Sequence, residues 1–252
     1  MLLPRCLFPT LLLLFLPWLS CLSDPASTEK PKADPPSDPP SLSKQIQPRH
    51  LGAKWIFDVT LFNPDGTTKQ DGDVTEEVVR AIELEGVTCY LVKLTTDPRS
   101  FVDKLQGKPL PPYAESYFWE YQDAKGSHDY SEDSDENTTP ESLDEFELTL
   151  PYPVEAGHTY QLEESAWEVL AVGKTVEVPA GEFECVVYQQ TVLDAETPEY
   201  STRYRFYAAP GTGLVRFEID DKVDGEWQLT SRDDLRSSNL GQKKPAAPNE
   251  ER

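Results

Sequence analysis

Short apolar runs separated by turn residues fill the central part of the chain. Residues 55–62 are aromatic and β-branched, and they end at Asn63-Pro64-Asp65-Gly66, a typical turn sequence. Similar runs follow along the chain, and we predict strands at residues 87–95, 113–121, 146–150, 183–193, 200–208, 214–219 and 226–230. Residues 74–84 are predicted as a strand or a short helix, and residues 159–178 as one bent strand or two. Strands at this spacing, without a sustained helical period, predict a mainly β, antiparallel fold.

Turn chemistry is clearest in the second half of the chain. Val178-Pro179-Ala180-Gly181 has proline at the second turn position, and Ala209-Pro210-Gly211-Thr212 fits a type II turn. Asp224-Gly225 is typical of a two-residue hairpin. Because alternation is imperfect and many strands are apolar on one face, we expect a single curved antiparallel sheet or open half-barrel with few short helices.

The two ends of the chain differ in composition from the centre. Residues 1–23 resemble a signal peptide, and the apolar run at 7–19 is shorter than the ~20 residues of a membrane span. Residues 24–48 form a proline-rich segment that we predict to be a disordered linker. The β domain is predicted over 49–235, with an acidic loop at 123–147, and a disordered tail over 236–252.

Two processing routes follow from the end of the apolar run. Cys21 lies directly after it, where bacterial lipoproteins carry their lipid, and ordinary cleavage after Ser23 is the alternative. Both routes place the protein outside the cytoplasm, periplasmic or secreted, and the first would anchor it through a lipid on Cys21. No later run predicts a transmembrane span.

The formal net charge of −22 narrows the classes of partner. Nucleic acid is excluded as a partner, because binding phosphates needs lysine and arginine to displace counterions. An anionic membrane surface is disfavoured for the same reason. The acidity is typical of a surface that keeps an exported protein soluble.

Four segments resemble a group of bacterial exported proteins and lipoproteins of unknown function, common in planctomycete-like genomes. They are Gly52-Ala53-Lys54-Trp55, the Pro-Tyr-Pro-Val-Glu-Ala-Gly-His-Thr-Tyr of 151–160, the Val-Pro-Ala-Gly-Glu-Phe of 178–183 and the Tyr-Ala-Ala-Pro-Gly-Thr-Gly-Leu-Val of 207–215. Related families look like the half-barrels of periplasmic lipoprotein carriers, which hold an acyl chain. The acidic insertion near 129–147 and the atypical residues before Cys21 depart from the pattern.

The sequence holds no recognisable catalytic constellation. Its three histidines, His50, His128 and His158, are scattered, and the chain lacks His-Glu-x-x-His, Gly-x-Ser-x-Gly and phosphate-loop motifs. Adjacent acids such as Glu163 and Glu164 would point to opposite faces of a strand. We therefore expect a non-enzymatic protein without a cofactor.

The acidic stretch contains the spacing of a calcium loop. The acidic and amide side chains at positions 1, 3, 5, 9 and 12 are Asp133, Asp135, Asn137, Glu141 and Asp144. Thr138 replaces the glycine that such a loop needs, and Pro140 stiffens the segment. We expect a disordered acidic insertion, with weak calcium binding as the alternative.

Aromatic residues with strand spacing suggest the lining of a concave face. The candidates are Trp55, Phe57, Tyr117, Trp119, Tyr204 and Phe206, which core packing would explain equally well. Three hypotheses follow: an exported module that binds an apolar or lipid-like ligand, an interaction or structural protein of the cell envelope, and a hydrolase with an unrecognised site. An open cavity would favour the first, a filled interior the second, and polar groups with perturbed pKa values the third.

We predict that Cys89 and Cys185 are two buried thiols in the mature protein. Export allows a disulfide between them, but both lie mid-strand among apolar neighbours. The intact mass of the denatured protein should be the same before and after reduction. A gain of about 2 Da would instead reveal the disulfide.

Overall fold

The computed structural model describes residues 45–96, 114–130, 134–162, 165–192 and 201–240. The predicted signal peptide, Cys21, most of the predicted linker and the end of the predicted tail lie outside these ranges, as do Tyr113 and Asp133.

In the described residues, twelve β-strands make up a single sheet, which confirms the mainly β, antiparallel prediction. The strands are β1 (Lys54–Phe62), β2 (Thr68–Leu84), β3 (Val87–Thr96), β4 (Ala114–Gln122), β5 (Gly126–Tyr130), β6 (Phe146–Pro151), β7 (Thr159–Leu162), β8 (Ser165–Val178), β9 (Gly181–Val192), β10 (Thr202–Ala209), β11 (Gly213–Val223) and β12 (Glu226–Ser238). In the described ranges, the helical content is one 3-10 turn at Leu143–Glu145.

The strand order follows the chain in two meanders. It runs β6-β5-β4-β3-β2-β1-β12-β11-β10-β9-β8-β7, so the first and last strands pair at the centre of the sheet. The two edge strands, β6 and β7, are consecutive in sequence. The sheet is nearly closed, and a seam lies between these edges.

The predicted turns have the expected backbone. Gly211 has φ of 84° in the β10–β11 turn, where Thr212 N donates to Ala209 O (2.9 Å). Asp224 and Gly225 both have positive φ (52° and 84°), as a type I′ hairpin requires. These turns set the register that brings neighbouring strands together.

Two parts of the sheet differ from the sequence expectations. Part of the predicted acidic loop forms β5, and β12 extends to Ser238, well beyond the predicted end at residue 230. Both segments are polar, so they lack the apolar alternation that marks a strand, and cross-strand pairing forms them instead. Glycine is required at position 126, where β5 and β6 lie close together, since a Cβ there would lie 2.1 Å from Leu150 O.

Three apolar clusters form the core. The first centres on Trp55, Phe57 and Leu235, and the second on Ile46, Trp167 and Tyr188. The third cluster contains Cys89, Leu91, Trp119, Tyr121 and Phe146.

The acidic stretch covers the third cluster. Trp119 Nε1 donates to Thr138 O (3.0 Å), and the Arg80 guanidinium lies 4.8 Å from the Trp119 ring centre while also donating to Thr138 O. The described part of the stretch is thus packed on the sheet, which differs from the disorder we expected.

The two described cysteines are free buried thiols in separate clusters. Cys89 belongs to the third cluster and Cys185 to the first. Burial raises the pKa of Cys89 to about 12 and that of Cys185 to about 11. The arrangement agrees with the predicted pair of thiols.

Tyrosine hydroxyls bridge the seam. The hydroxyl of Tyr160 on β7 donates to Thr149 O (2.7 Å), and the hydroxyl of Tyr188 on β9 donates to Pro151 O (2.8 Å). Both acceptor carbonyls belong to β6. Leu150 of β6 packs in the second cluster with Trp167 of β8. Side chains, rather than a backbone ladder, therefore hold β6 near the opposite edge.

We expect Tyr188→Phe to lower the free energy of unfolding by about 1–2 kcal/mol, because it leaves the Pro151 carbonyl without its partner. Tyr90→Phe is the matched control, since the Tyr90 hydroxyl makes no hydrogen bond within the described chain. Urea denaturation measures both. Equal stability of the two variants would contradict the role of the seam hydrogen bonds.

Candidate functional site

A buried arginine lies at the centre of a polar cluster inside the sheet. Arg49 is 5% exposed. Its Nε and Nη2 both donate to Glu120 Oε2 (3.0 and 2.8 Å), and its Nη1 donates to Glu76 Oε2 (3.3 Å). The guanidinium carbon lies 4.4 Å from the centre of the Trp55 ring. Arg49 therefore meets two carboxylates and an aromatic face at once.

The sheet register places the partners of Arg49. Trp55 on β1 pairs with Glu76 on β2, and Glu120 on β4 pairs with Asp129 on β5. Opposed carboxylates on neighbouring strands repel each other. We call the site formed by Trp55, Glu76, Glu120 and Asp129 the carboxylate box; Arg49 is its occupant.

Burial and mutual repulsion perturb the titration of the box. Desolvation, and then the nearby Glu120 charge, raise the pKa of Asp129 to about 8, although Thr149 and Arg49 oppose the shift. Asp129 Oδ1 is shielded from solvent and has no hydrogen-bond partner among the described residues. Burial also raises the pKa of Glu76. The surroundings of Asp129 therefore disfavour its charged form.

The pKa of Arg49 is raised. Burial alone would lower it, but the charges of Glu120 and Glu76 outweigh burial. Arg49 therefore remains a permanent cation in the box. Ser127 Oγ and Gln122 Nε2 donate to Oε1 of Glu120 (3.1 and 3.0 Å), so both oxygens of this carboxylate accept hydrogen bonds.

Arg49 comes from a segment outside the sheet, residues 45–50, which we call the latch. Ile46 is fully buried in the second cluster, and Pro48 is also buried. Gly211 N donates to Gln45 O (2.8 Å), and Gln47 N donates to Gln122 Oε1 (3.3 Å). The latch thus occupies the interior between the two meanders, where an acyl chain was expected to have room.

A cavity of about 590 Å³ lies where the latch meets the ends of the central strands; we call it the end pocket. Its walls come from the latch, the β8–β9 turn, the β10–β11 turn and the end of β12. The lining residues are Pro48, His50, Pro179, Ala180, Phe183, Gly211, Thr212, Leu235, Arg236, Ser237, Ser238 and Leu240. This volume is in the range of small-molecule sites.

Segments that carry the family resemblance meet at the end pocket. Pro179, Ala180 and Phe183 come from one of them, and Gly211 and Thr212 from another. Trp55, in a third, donates from Nε1 to Thr212 O (2.9 Å). Motifs far apart in sequence thus build one local structure.

The predicted lining residues fall into different surroundings. Trp55 and Phe57 are buried in the first cluster, and Trp119 is buried in the third with Tyr117 packed against it. Phe206 packs against the second cluster and contacts Phe217, on which Tyr204 also stacks. The structure does not bring the six together around one cavity.

A second cavity, of about 420 Å³, lies beside β7, β8 and β9. Its lining includes Tyr160 and Trp167, whose rings stack with centres 5.7 Å apart, and Trp167 in turn stacks on Phe206 at 5.3 Å. An aromatic row therefore crosses this part of the sheet next to the seam.

The predicted calcium ligands are partly described. Asp135 Oδ1 accepts from the backbone N–H of Asn137 (2.7 Å) and of Thr138 (2.8 Å). Glu141 and Asp144 lie at the 3-10 turn. Within the described ranges, no group of three or more His, Cys, Asp or Glu side chains is arranged to hold a metal ion. Because Asp133 is not described, weak calcium binding remains a prediction.

Comparison with known proteins finds two solved structures of low sequence identity. No protein-family model and no curated protein sequence matches the chain significantly. A crystal structure of a protein classed as a lipoprotein from Parabacteroides distasonis ATCC 8503 shares 13% identity at a TM-score of 0.43 and covers 77% of this chain and 98% of its own. A protein classed as exported, with a YmcC-like fold, from Bacteroides fragilis NCTC 9343 shares 16% identity at a TM-score of 0.40, covering 76% and 97%. These TM-scores are too low to carry an argument about function.

In the described part of the chain, no helix has the length and apolar character needed to cross a membrane.

Arg49, Glu76, Glu120 and Asp129 were missed by sequence reasoning, which selected aromatic residues instead. Arg49 falls at the junction of the predicted linker and domain, and Glu120 lies between the apolar Trp119 and Tyr121. The available signal was an acidic residue, Glu120, within an aromatic strand, on the face opposite Tyr117, Trp119 and Tyr121.

We expect Arg49→Met to lower the free energy of unfolding by about 3–5 kcal/mol, because it leaves the buried Glu120 and the partly buried Glu76 without their cation. Arg236→Met is the matched control: Arg236 also binds two carboxylates, Asp58 and Asp73, but on the surface, so it should cost about 1 kcal/mol or less.

Adding Glu120→Gln to Arg49→Met should recover part of the loss, since it removes one unpaired charge. Urea denaturation at neutral pH measures all the variants. No recovery in the double variant would show that Arg49 acts by packing alone.

Proposed function

We propose that this chain is an exported, non-enzymatic β module that binds an apolar or lipid-like ligand in the end pocket. The signal-like residues 1–23 support export, and the 590 Å³ cavity carries the binding proposal. Pro179, Phe183, Leu235 and Leu240 give it apolar walls. Its polar groups would orient a ligand head group.

The charges around the end pocket favour a ligand without net charge. Arg236 lines the pocket, but its guanidinium is bound to Asp58 and Asp73. The chain as a whole carries −22, which repels anions. A neutral lipid or another uncharged apolar molecule therefore suits the pocket better than a free fatty acid.

Binding rather than catalysis agrees with where the carboxylates lie. Among the described residues, those that line the end pocket include no Asp or Glu. Glu120 and Glu76 are bound to Arg49 inside the sheet, so they are engaged with a fixed cation.

A hydrolase remains the second candidate, because Asp129 has a strongly raised pKa beside Glu120. If the protein were such an enzyme, Asp129→Asn would abolish hydrolysis of a chromogenic ester or glycoside by the purified protein. Absence of any such turnover in the wild type would remove this candidate.

The binding proposal predicts that Nile red, a neutral apolar fluorophore, binds the purified protein. Ala180→Trp, which places a large side chain in the end pocket, should weaken binding at least about tenfold. Val172→Trp is the matched control: it lies in the same β8–β9 hairpin, is 49% exposed and does not line the pocket.

Fluorescence titration measures Nile red affinity, and thermal melting verifies that both variants are folded. Unchanged affinity in folded Ala180→Trp would exclude the end pocket as the site. Native mass spectrometry of protein purified from its own envelope would then identify the natural ligand, or a bound protein if the envelope-interaction alternative holds.

A further inference from the structure

The latch is held in the sheet mainly by side chains. Ile46 fills an apolar site formed by the second cluster, and Arg49 fills the carboxylate box three residues later. Ahead of β1, the latch joins the sheet through the turn at Leu51 and Gly52, where Leu51 is 64% exposed. It adds no strand to the ladder.

The residues of the carboxylate box are positioned by the sheet and not by the latch. Trp55 and Glu76 are paired by the β1–β2 register, and Glu120 and Asp129 by the β4–β5 register. These positions depend on backbone pairing within the sheet. The sheet alone therefore presents an aromatic face and several carboxylates, which is the chemistry that recognises a guanidinium.

A carboxylate box without Arg49 would be unfavourable, because its negative charges would be unpaired. Without Arg49, the buried Glu120 carboxylate would lie in the interior with no cation, and the partly buried Glu76 would lose its ion pair. Leaving a buried charge unpaired is strongly destabilising. If the latch leaves, another cation of similar shape has to replace it.

We propose that the sheet interior is a receptor for a peptide segment in which arginine follows an apolar residue by three positions, and that the latch is its built-in occupant. A partner protein that presents such a segment would exchange with Ile46 and Arg49. The inference concerns the carboxylate box and does not rest on ligand binding in the end pocket.

The two subsites explain why this peptide would be selected. An apolar side chain at the first position is buried beside Trp167, Val169 and Tyr188, as Ile46 is. Arginine is preferred to lysine, because a planar guanidinium can donate two bonds to Glu120 while it stacks on Trp55.

The test uses the full chain with a protease site inserted between His50 and Leu51. The protein is folded first and cleaved afterwards, so folding does not depend on a disabled latch. A fluorescein-labelled peptide with the sequence of residues 44–50 is then added, and fluorescence polarisation reports its binding. The uncleaved protein should bind the peptide poorly, because its own latch fills the site.

We expect the cleaved protein to stay folded by near-UV circular dichroism and to exchange its latch for the labelled peptide. A peptide with glutamine in place of arginine should compete at least about 30-fold less well. The Glu120→Gln protein should also bind the arginine peptide more weakly, whereas Nile red affinity should be unaffected.

Three results would overturn the proposal: unfolding upon cleavage, equal competition by the glutamine and arginine peptides, or failure of the cleaved protein to take up the peptide. Each would mean that the latch is a fixed structural element. Because Nile red is titrated separately, loss of peptide exchange can be distinguished from failure of the end pocket to bind.

Discussion

The opposition of Glu120 and Asp129 across β4 and β5 is the constraint on which the interior depends. Two carboxylates on one face of a sheet repel each other, and burial removes the water that would screen them. Two features reduce this repulsion: the raised pKa of Asp129 disfavours its charged form, and the Arg49 cation pairs with Glu120. Because none of the described strands supplies that cation, it comes from a segment ahead of β1 that enters the sheet.

That requirement links the box to the end pocket. Arg49 is fixed by Glu120, and its neighbours Pro48 and His50 form one wall of the pocket. The opposite walls come from the β8–β9 and β10–β11 turns. The box and the end pocket therefore share one short segment of backbone, residues 48–50, while the rest of each is built by different strands and turns.

The sequence predicted the fold better than the site. Turn residues such as Gly211 and Asp224-Gly225 mark strand ends because the turns need positive φ angles at these positions. This requirement depends only on neighbouring residues, so it can be predicted from the local sequence. In contrast, β5 has the sequence Gly-Ser-His-Asp-Tyr and becomes a strand only because β4 and β6 flank it. Arg49 could not be placed, since its partners are 27 and 71 residues away in sequence.

The tyrosines at the seam affect how the protein behaves among its own copies. An edge strand offers unpaired carbonyls and amides, and another chain can add to it in edge-to-edge aggregation. Tyr160 and Tyr188 occupy carbonyls of Thr149 and Pro151 on β6, so part of that edge is no longer open to a neighbouring strand. Two phenol groups thus protect a sheet that is not fully closed, without covalent linkage and without a further strand.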